Sequence, residues 1–333
     1  HLWDDIVLKE DEHMKYSVYV AEDEPPILRD IVNKIRIHCS DYEVVGQAYN
    51  GEDALKDILR LKPDVLCTDI RMPIQDGLEL IRQVKVHSPD TICIILSGYQ
   101  EFEYAKTAIH LGVEDYLLKP VDIRLLSEIL SKVKHRLGEQ KHSKGLEALN
   151  SMFNLFTGAP ALHHLEYKYY NLLFLCINNP LSSHPGAKKY VELINGIVAA
   201  VNLDGIVQRM VSEADCNHWI ISGRFPNERI IVFGSNQGNN LHLQKLSAEI
   251  LEEFQKQDAF ITIALCEEAY SKENMLEKAN ELRNTAVRGA IVGKNQIFTD
   301  RTSLQNSWEM FAVFSDIEKS IIAFCQNGQV KFL

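Results

Sequence analysis

Asp69 ends an apolar run, Val65-Leu66-Cys67-Thr68, and is followed at once by Ile70-Arg71-Met72-Pro73 and then Asp76-Gly77. That pattern sets a carboxylate at the carboxyl edge of a parallel strand, where open α/β sheets bind ligands. Glu22 and Asp23 follow Ser17-Val18-Tyr19-Val20-Ala21, whose β-branched and small residues predict a first strand, and Pro25-Pro26 then opens a helix. If the two strands are neighbours, each pair of these acids repels by about 4 kcal/mol at ~4 Å and an effective dielectric of about 20. Such a cluster calls for a cation, and all-oxygen ligands with room for water favour Mg²⁺ or Mn²⁺ over zinc. A third run, Thr91-Ile92-Cys93-Ile94-Ile95-Leu96, ends in Ser97-Gly98, and a fourth, Asp115-Tyr116-Leu117-Leu118, ends in Lys119-Pro120. A carboxylate nucleophile, a divalent ion, a hydroxyl and a lysine at one sheet edge make a site for a phosphoryl group.

Taken singly, each residue has a plainer explanation. An Asp after a strand is commonly a cap or turn residue, and Lys-Pro is a turn signal. Ser97 alone suits the cap of a helix over Gln100 to Leu111, and Tyr116 alone an edge-strand aromatic. These explanations do not account for Glu22, Asp23, Asp69, Ser97 and Lys119 falling at successive strand ends in one order. The Lys119-Pro120 bond is a candidate for the cis form, which costs only about 0.5–1 kcal/mol before proline.

With those residues in place, positions 15 to about 137 resemble a two-component receiver domain. The resemblance implies a flavodoxin-like, doubly wound α/β domain with a parallel five-stranded sheet. It assigns the phosphoacceptor to Asp69, the metal ligands to Glu22, Asp23, Asp69 and the backbone carbonyl of Arg71, the phosphoryl-sensing hydroxyl to Ser97, the lysine to Lys119 and the switch aromatic to Tyr116. The Arg71 side chain is left free to vary, and Glu22 stands where the family has a second aspartate. The activity implied is acceptance of a phosphoryl group from a phosphohistidine of a sensor histidine kinase, with Mg²⁺ (or Mn²⁺) as cofactor. Closure of the Ser97-Gly98-Tyr99 loop and movement of Tyr116 would follow, Gly98 easing that motion by its lack of side-chain bulk.

At 333 residues the chain is sized for about two domains, and 46% hydrophobic residues suffice for two cores. No run approaches the roughly 18 apolar residues of a membrane span, and no signal peptide precedes the first strand. Seven cysteines, an odd number without C-x-x-C spacing, argue against a disulfide framework and for a reducing cytoplasm. The net charge of −11 opposes direct DNA binding. The one basic stretch, Lys132 to Lys144, is expected to be a solvated helix face next to a linker.

Leu126, Ile129, Val133 and Leu137 share one face of a helix from about Asp122, which leads into a polar linker, Gly138 to Gly145, and a short amphipathic helix with Leu146, Leu149, Met152, Phe153 and Phe156. Beyond Gly158 the pattern predicts strand 172–177, helix 188–201, strands 218–222 and 229–233, helix 241–255, strand 260–265, helix 272–292 and strand 296–298. That order suits an α+β domain with a mainly antiparallel sheet. Ile261-Thr262-Ile263-Ala264, with Ala279, Leu282, Arg283, Ala286 and Gly293 to Ile297, resembles the middle domain of YesN/AraC-type response regulators, itself akin to diguanylate cyclases. In the hairpin Gly223-Arg224-Phe225-Pro226-Asn227-Glu228, both turn glycines of the cyclase signature are missing and Pro226 removes a donor. Nucleotide cyclisation is therefore not expected.

The expected organisation is a non-native or disordered lead (1–14), a receiver (15–137), a helical linker (138–160), a degenerate cyclase-like α+β domain (161–300) and a helical tail (301–333) leading to an output domain not contained in the chain. The function expected is that of a non-enzymatic, phosphorylation-activated regulator of transcription, reaching DNA only through an AraC-type domain outside this sequence. A homodimer is admitted, and no membrane partner is expected. The rivals are a receiver-adaptor acting by protein contacts and a receiver-controlled nucleotide cyclase.

Overall fold

The computed structural model describes residues 15–98, 102–153, 162–178, 188–211, 216–237, 241–291 and 293–299. The expected lead 1–14 and the expected tail 301–333 both fall wholly outside them. The chain divides into two units, His1–Lys141 and His142–Leu333.

In the first unit, strands β1 (Tyr16–Ala21), β2 (Tyr42–Ala48), β3 (Val65–Asp69), β4 (Ile92–Ser97) and β5 (Asp115–Leu118) form one sheet in the order β2-β1-β3-β4-β5. Every pairing is parallel. The central strands are covered on both faces, which is why β3 and β4 are apolar almost throughout. Helix α1 (Pro25–His38) and the start of α5 (Ile123–Phe153) cover one face, with Leu28, Ile31, Ile35, Leu126, Ile129 and Val133 meeting Val18, Val20, Cys67 and Ile94. Helices α2 (Gly51–Leu61), α3 (Gly77–His87) and α4 (Phe102–His110) cover the other, packing Ile58, Leu80, Ile81 and Val84 on Tyr19, Leu66, Cys93 and Ile95. Each such Leu or Ile contributes roughly 1.5–3 kcal/mol of burial. This is the flavodoxin-like arrangement expected, and the strand order reverses between β1 and β3, which opens a crevice at their carboxyl ends.

One expectation about α5 is corrected. The polar stretch Gly138–Gly145 is helical, so α5 is a single helix of 31 residues in place of a helix, a linker and a second helix. Its basic stretch is the exposed face expected over Lys132, Lys134, His135 and Arg136, with Lys134 paired to Asp41 at 2.7 Å, Arg136 to Glu114, and the less exposed Lys141 to Asp64 at 3.4 Å while also lying over the Tyr16 ring. Helix propensity in Glu, Gln, Lys and Leu outweighs the two glycines, and nearby receiver acids supply partners.

The second unit is built on β6 (Tyr169–Ile177), β7 (Cys216–Ser222), β8 (Glu228–Ser235), β9 (Ile261–Leu265) and β10 (Gln296–Thr299), in the order β10-β9-β6-β8-β7. Only β9 and β10 pair in parallel; the other three pairings are antiparallel, as the pattern predicts. One face carries α6 (Lys188–Val201), α7 (Leu203–Val211) and α8 (Leu243–Gln255); the other carries α9 (Met275–Gly289) and the end of α5, through Ala148, Leu149 and Met152. Helix α7 was not expected.

Among the described residues, Val191–Val211 is long and apolar enough to cross a membrane by length and composition, although polar residues interrupt it and no unbroken apolar run reaches that length. Within the fold this stretch breaks at Asn202, whose φ of 49° no helix continues through, and it places Ile194, Val201, Ile206 and Val207 on the sheet.

Candidate functional site

Three strand ends meet in the crevice. Glu22 and Asp23 follow β1 and Asp69 closes β3, and because β1 and β3 pair directly, one carboxylate oxygen from each lies within 4.8 Å of the others. Glu22 is fully buried and Asp69 nearly so. Pro25 occupies the first turn of α1, where a missing N–H costs nothing, and the Glu24 N–H turns back to Glu22 Oε1 at 3.3 Å.

Lys119 follows β5 and reaches across the β4 end. Its ammonium donates to Asp69 Oδ2 at 2.7 Å and lies 2.6 Å from Glu22 Oε2. The Lys119 N–H donates to the Ser97 carbonyl at 2.8 Å, and the Lys119-Pro120 peptide is cis. Burial pushes the Glu22 carboxyl above its ordinary range; the hydrogen bond from Lys119 opposes this and the Asp69 charge adds to it. Burial works against the Lys119 charge, but hydrogen bonds to Asp69 and Glu22 outweigh it and hold the ammonium above its usual pKa. Three carboxylates against one ammonium leave two negative charges in the crevice, and the donors are all oxygen. A hard divalent cation with water ligands fits that set.

Asp69 Oδ1 accepts from the Ile70 N–H at 2.6 Å. With Lys119 on Oδ2, the carboxylate is held from both sides. Ser97 is buried at the end of β4, while Tyr116 is half-buried against the α2–α4 face. Tyr99 lies outside the described residues.

The Arg71 side chain is engaged: its guanidinium lies 5.8 Å from the Tyr104 ring centroid, with a nitrogen 3.5 Å from the hydroxyl. Among the described residues, a Cβ on Gly98 would meet nothing within 4 Å. Sequence reasoning also passed over Thr68, whose hydroxyl donates to the Asp69 carbonyl at 2.9 Å, and Gly77, where a Cβ would fall 1.8 Å from that same oxygen. A hydroxyl in an otherwise apolar strand and a glycine opening a helix were the available signals.

In the second unit the hairpin between β7 and β8 is filled by its own side chains. Asn227 is buried and donates to the Ile177 carbonyl at 3.1 Å. Glu228, also buried, pairs with Arg283 at 2.9 Å and accepts from the Phe225 N–H at 3.1 Å. The acid that follows the turn is thus spent on structure.

The response regulator receiver domain profile matches residues 18–131. A response regulatory protein of Staphylococcus epidermidis is 33% identical over 186 residues, covering 56% of this chain and 70% of that protein. The chain belongs to the response regulators. The transcriptional regulatory protein YesN of Bacillus subtilis is 38% identical over 136 residues, which span 40% of this response regulator and 37% of YesN. HptR of Staphylococcus aureus, also a transcriptional regulatory protein, is 38% identical over 132 residues, covering 39% of this chain and 51% of HptR. For these two relatives the match thus spans about half of their length or less. Among solved structures, the receiver domain of AraT from Geobacillus stearothermophilus is 42% identical, covering 38% of this chain and 99% of that one, with a TM-score of 0.37.

Proposed function

We propose that this response regulator accepts a phosphoryl group on Asp69 from a phosphohistidine of a sensor histidine kinase and thereby switches a transcriptional output. The observation that carries the reading is the cluster of Glu22, Asp23 and Asp69 with the Lys119 ammonium against Asp69 Oδ2. In the transfer, a carboxylate oxygen of Asp69 attacks phosphorus, the phosphorus–nitrogen bond breaks, and its electron pair returns to the imidazole. Glu22, Asp23, Asp69 and the Arg71 carbonyl would hold Mg²⁺ or Mn²⁺, which when bound neutralises charge on the phosphoryl oxygens. Lys119 contributes a second positive charge at the same oxygens.

The response lies in Ser97 and Tyr116. The Ser97 hydroxyl bonds the new phosphoryl oxygen, and Tyr116 follows the loop inward. A shift of the domain from about 1:99 to 99:1 requires roughly 5.5 kcal/mol of preference for the active form. The output we assign is control of transcription through an AraC-type DNA-binding domain outside this chain, in a cytoplasmic, non-enzymatic protein organised as receiver (15–137), connecting helix and degenerate cyclase-like domain (161–300). That YesN and HptR are transcriptional regulatory proteins supports a transcriptional output, and the internally occupied hairpin at Asn227 and Glu228 speaks against a cyclase.

Incubation with a small phosphodonor and Mg²⁺, followed by intact-mass measurement, tests the reading. One phosphoryl adduct on the wild type and none on Asp69→Ala is the expected result. An undiminished adduct on Asp69→Ala defeats it.

A further inference from the structure

Thr68 is fully buried in β3, flanked on the neighbouring strands by Ala21 and Ile95, which offer its hydroxyl no side-chain partner. A buried hydroxyl is costly unless bonded, and this one is bonded to the carbonyl oxygen of Asp69 itself at 2.9 Å. The same oxygen is approached by Gly77, whose missing side chain makes room for it, and the Gly77 N–H donates to the Ile70 carbonyl at 2.8 Å. Further along, the Gly51 N–H donates to the Gln75 carbonyl at 3.1 Å. The segment after Asp69 is therefore braced at both ends. Between the braces, Ile74 sits at a φ of 69°, a left-handed conformation that a β-branched residue adopts only when its surroundings impose it.

We infer that Thr68 is a positioning residue for the phosphoacceptor site. Its hydroxyl, held on the Asp69 carbonyl, fixes the peptide from which the Asp69 carboxylate and, two residues on, the Arg71 carbonyl are presented to the divalent ion. The inference rests on the function proposed above and adds a residue that touches neither metal nor phosphoryl group. Gly77 completes the arrangement by letting α3 begin against that carbonyl.

The test compares Thr68→Val, Thr68→Ser and, as a packing control one residue earlier on β3, Cys67→Ala, all in the full chain. Mn²⁺ affinity is read by electron paramagnetic resonance without phosphodonor, the rate of adduct formation by intact mass, and the unfolding midpoint in EDTA. Thr68→Val should weaken Mn²⁺ binding and slow adduct formation, each by roughly three- to tenfold, as expected for one lost hydrogen bond. Thr68→Ser should restore both, and Cys67→Ala should lower the midpoint while leaving Mn²⁺ affinity at the wild-type value. Wild-type Mn²⁺ affinity in Thr68→Val, or an equal loss in Cys67→Ala, overturns the inference. If wild-type protein binds Mn²⁺ but gains no adduct, the phosphoacceptor reading fails, while the Mn²⁺ comparison still decides whether Thr68 positions the ligands.

Discussion

The Lys119 ammonium donates to Asp69 across 2.7 Å although the two residues stand 50 apart in the chain. The same ammonium lies against the buried carboxylate of Glu22. One lysine therefore neutralises acids from two strand ends. Lys119→Met should strand both carboxylates and destabilise the first unit by about 3 kcal/mol in EDTA. Urea denaturation followed in EDTA and again in millimolar Mg²⁺ checks this, with Mg²⁺ recovering part of the loss.

Glu22 carries a pH dependence of definite sign. Its carboxyl is raised in the folded protein chiefly by burial. The native state thus holds this proton more tightly than the unfolded chain, so the group destabilises the metal-free fold above its folded pKa and that cost is relieved as pH falls toward the unfolded value. Glu22→Gln should raise the unfolding midpoint in EDTA at neutral pH and flatten its rise on acidification. In the same variant, the stabilisation gained on adding Mg²⁺ should shrink.

Gly77 tolerates no side chain. A Cβ would fall 1.8 Å from the Asp69 carbonyl oxygen, so either α3 or β3 must move. Gly77→Ala is expected to cost about 2–4 kcal/mol and to abolish most adduct formation on Asp69. Chemical denaturation and intact mass measure the two effects.

Ile74 is 76% exposed and holds a φ of 69°. Asparagine reaches that conformation more readily than any β-branched residue. Ile74→Asn should stabilise the first unit by about 1 kcal/mol, seen as a midpoint a few degrees higher by calorimetry, without lowering Mn²⁺ affinity.

Arg283→Ala should act on the second unit alone. It leaves Glu228 buried without its ion pair and is expected to cost that unit about 3 kcal/mol. Limited proteolysis locates the damage, and adduct formation on Asp69 should keep its wild-type rate.

Much of this protein is legible in local pattern. Strand ends can be recognised from their immediate neighbours, because apolar runs of four to six residues stop where polar ones begin, and that alone marks Glu22, Asp23, Asp69, Ser97 and Lys119 as candidates. The mainly antiparallel second sheet is legible for the same reason, through the spacing of its short apolar runs. What periodicity does not supply is continuity: Gly138 and Gly145 look like punctuation, yet α5 runs through both, because side chains far away in sequence supply its contacts, Trp219 against Gly145 among them. The short α7 is hidden for a related reason, since the turn at Asn202 depends on a left-handed φ that asparagine permits but does not announce.

The sequence by itself determined which residues could do the chemistry, since carboxylate, hydroxyl and ammonium are properties of residue type and their placement at strand ends follows from local pattern. Tertiary structure alone decided which atoms meet. It put β1 beside β3 so that three acids share one crevice, carried Lys119 over the end of β4 onto two of them, turned the Arg71 guanidinium to Tyr104, and set the Thr68 hydroxyl and the bare Cα of Gly77 against one carbonyl oxygen. Those contacts join residues far apart in the chain or hinge on tenths of an ångström in the backbone, and neither is encoded in local spacing.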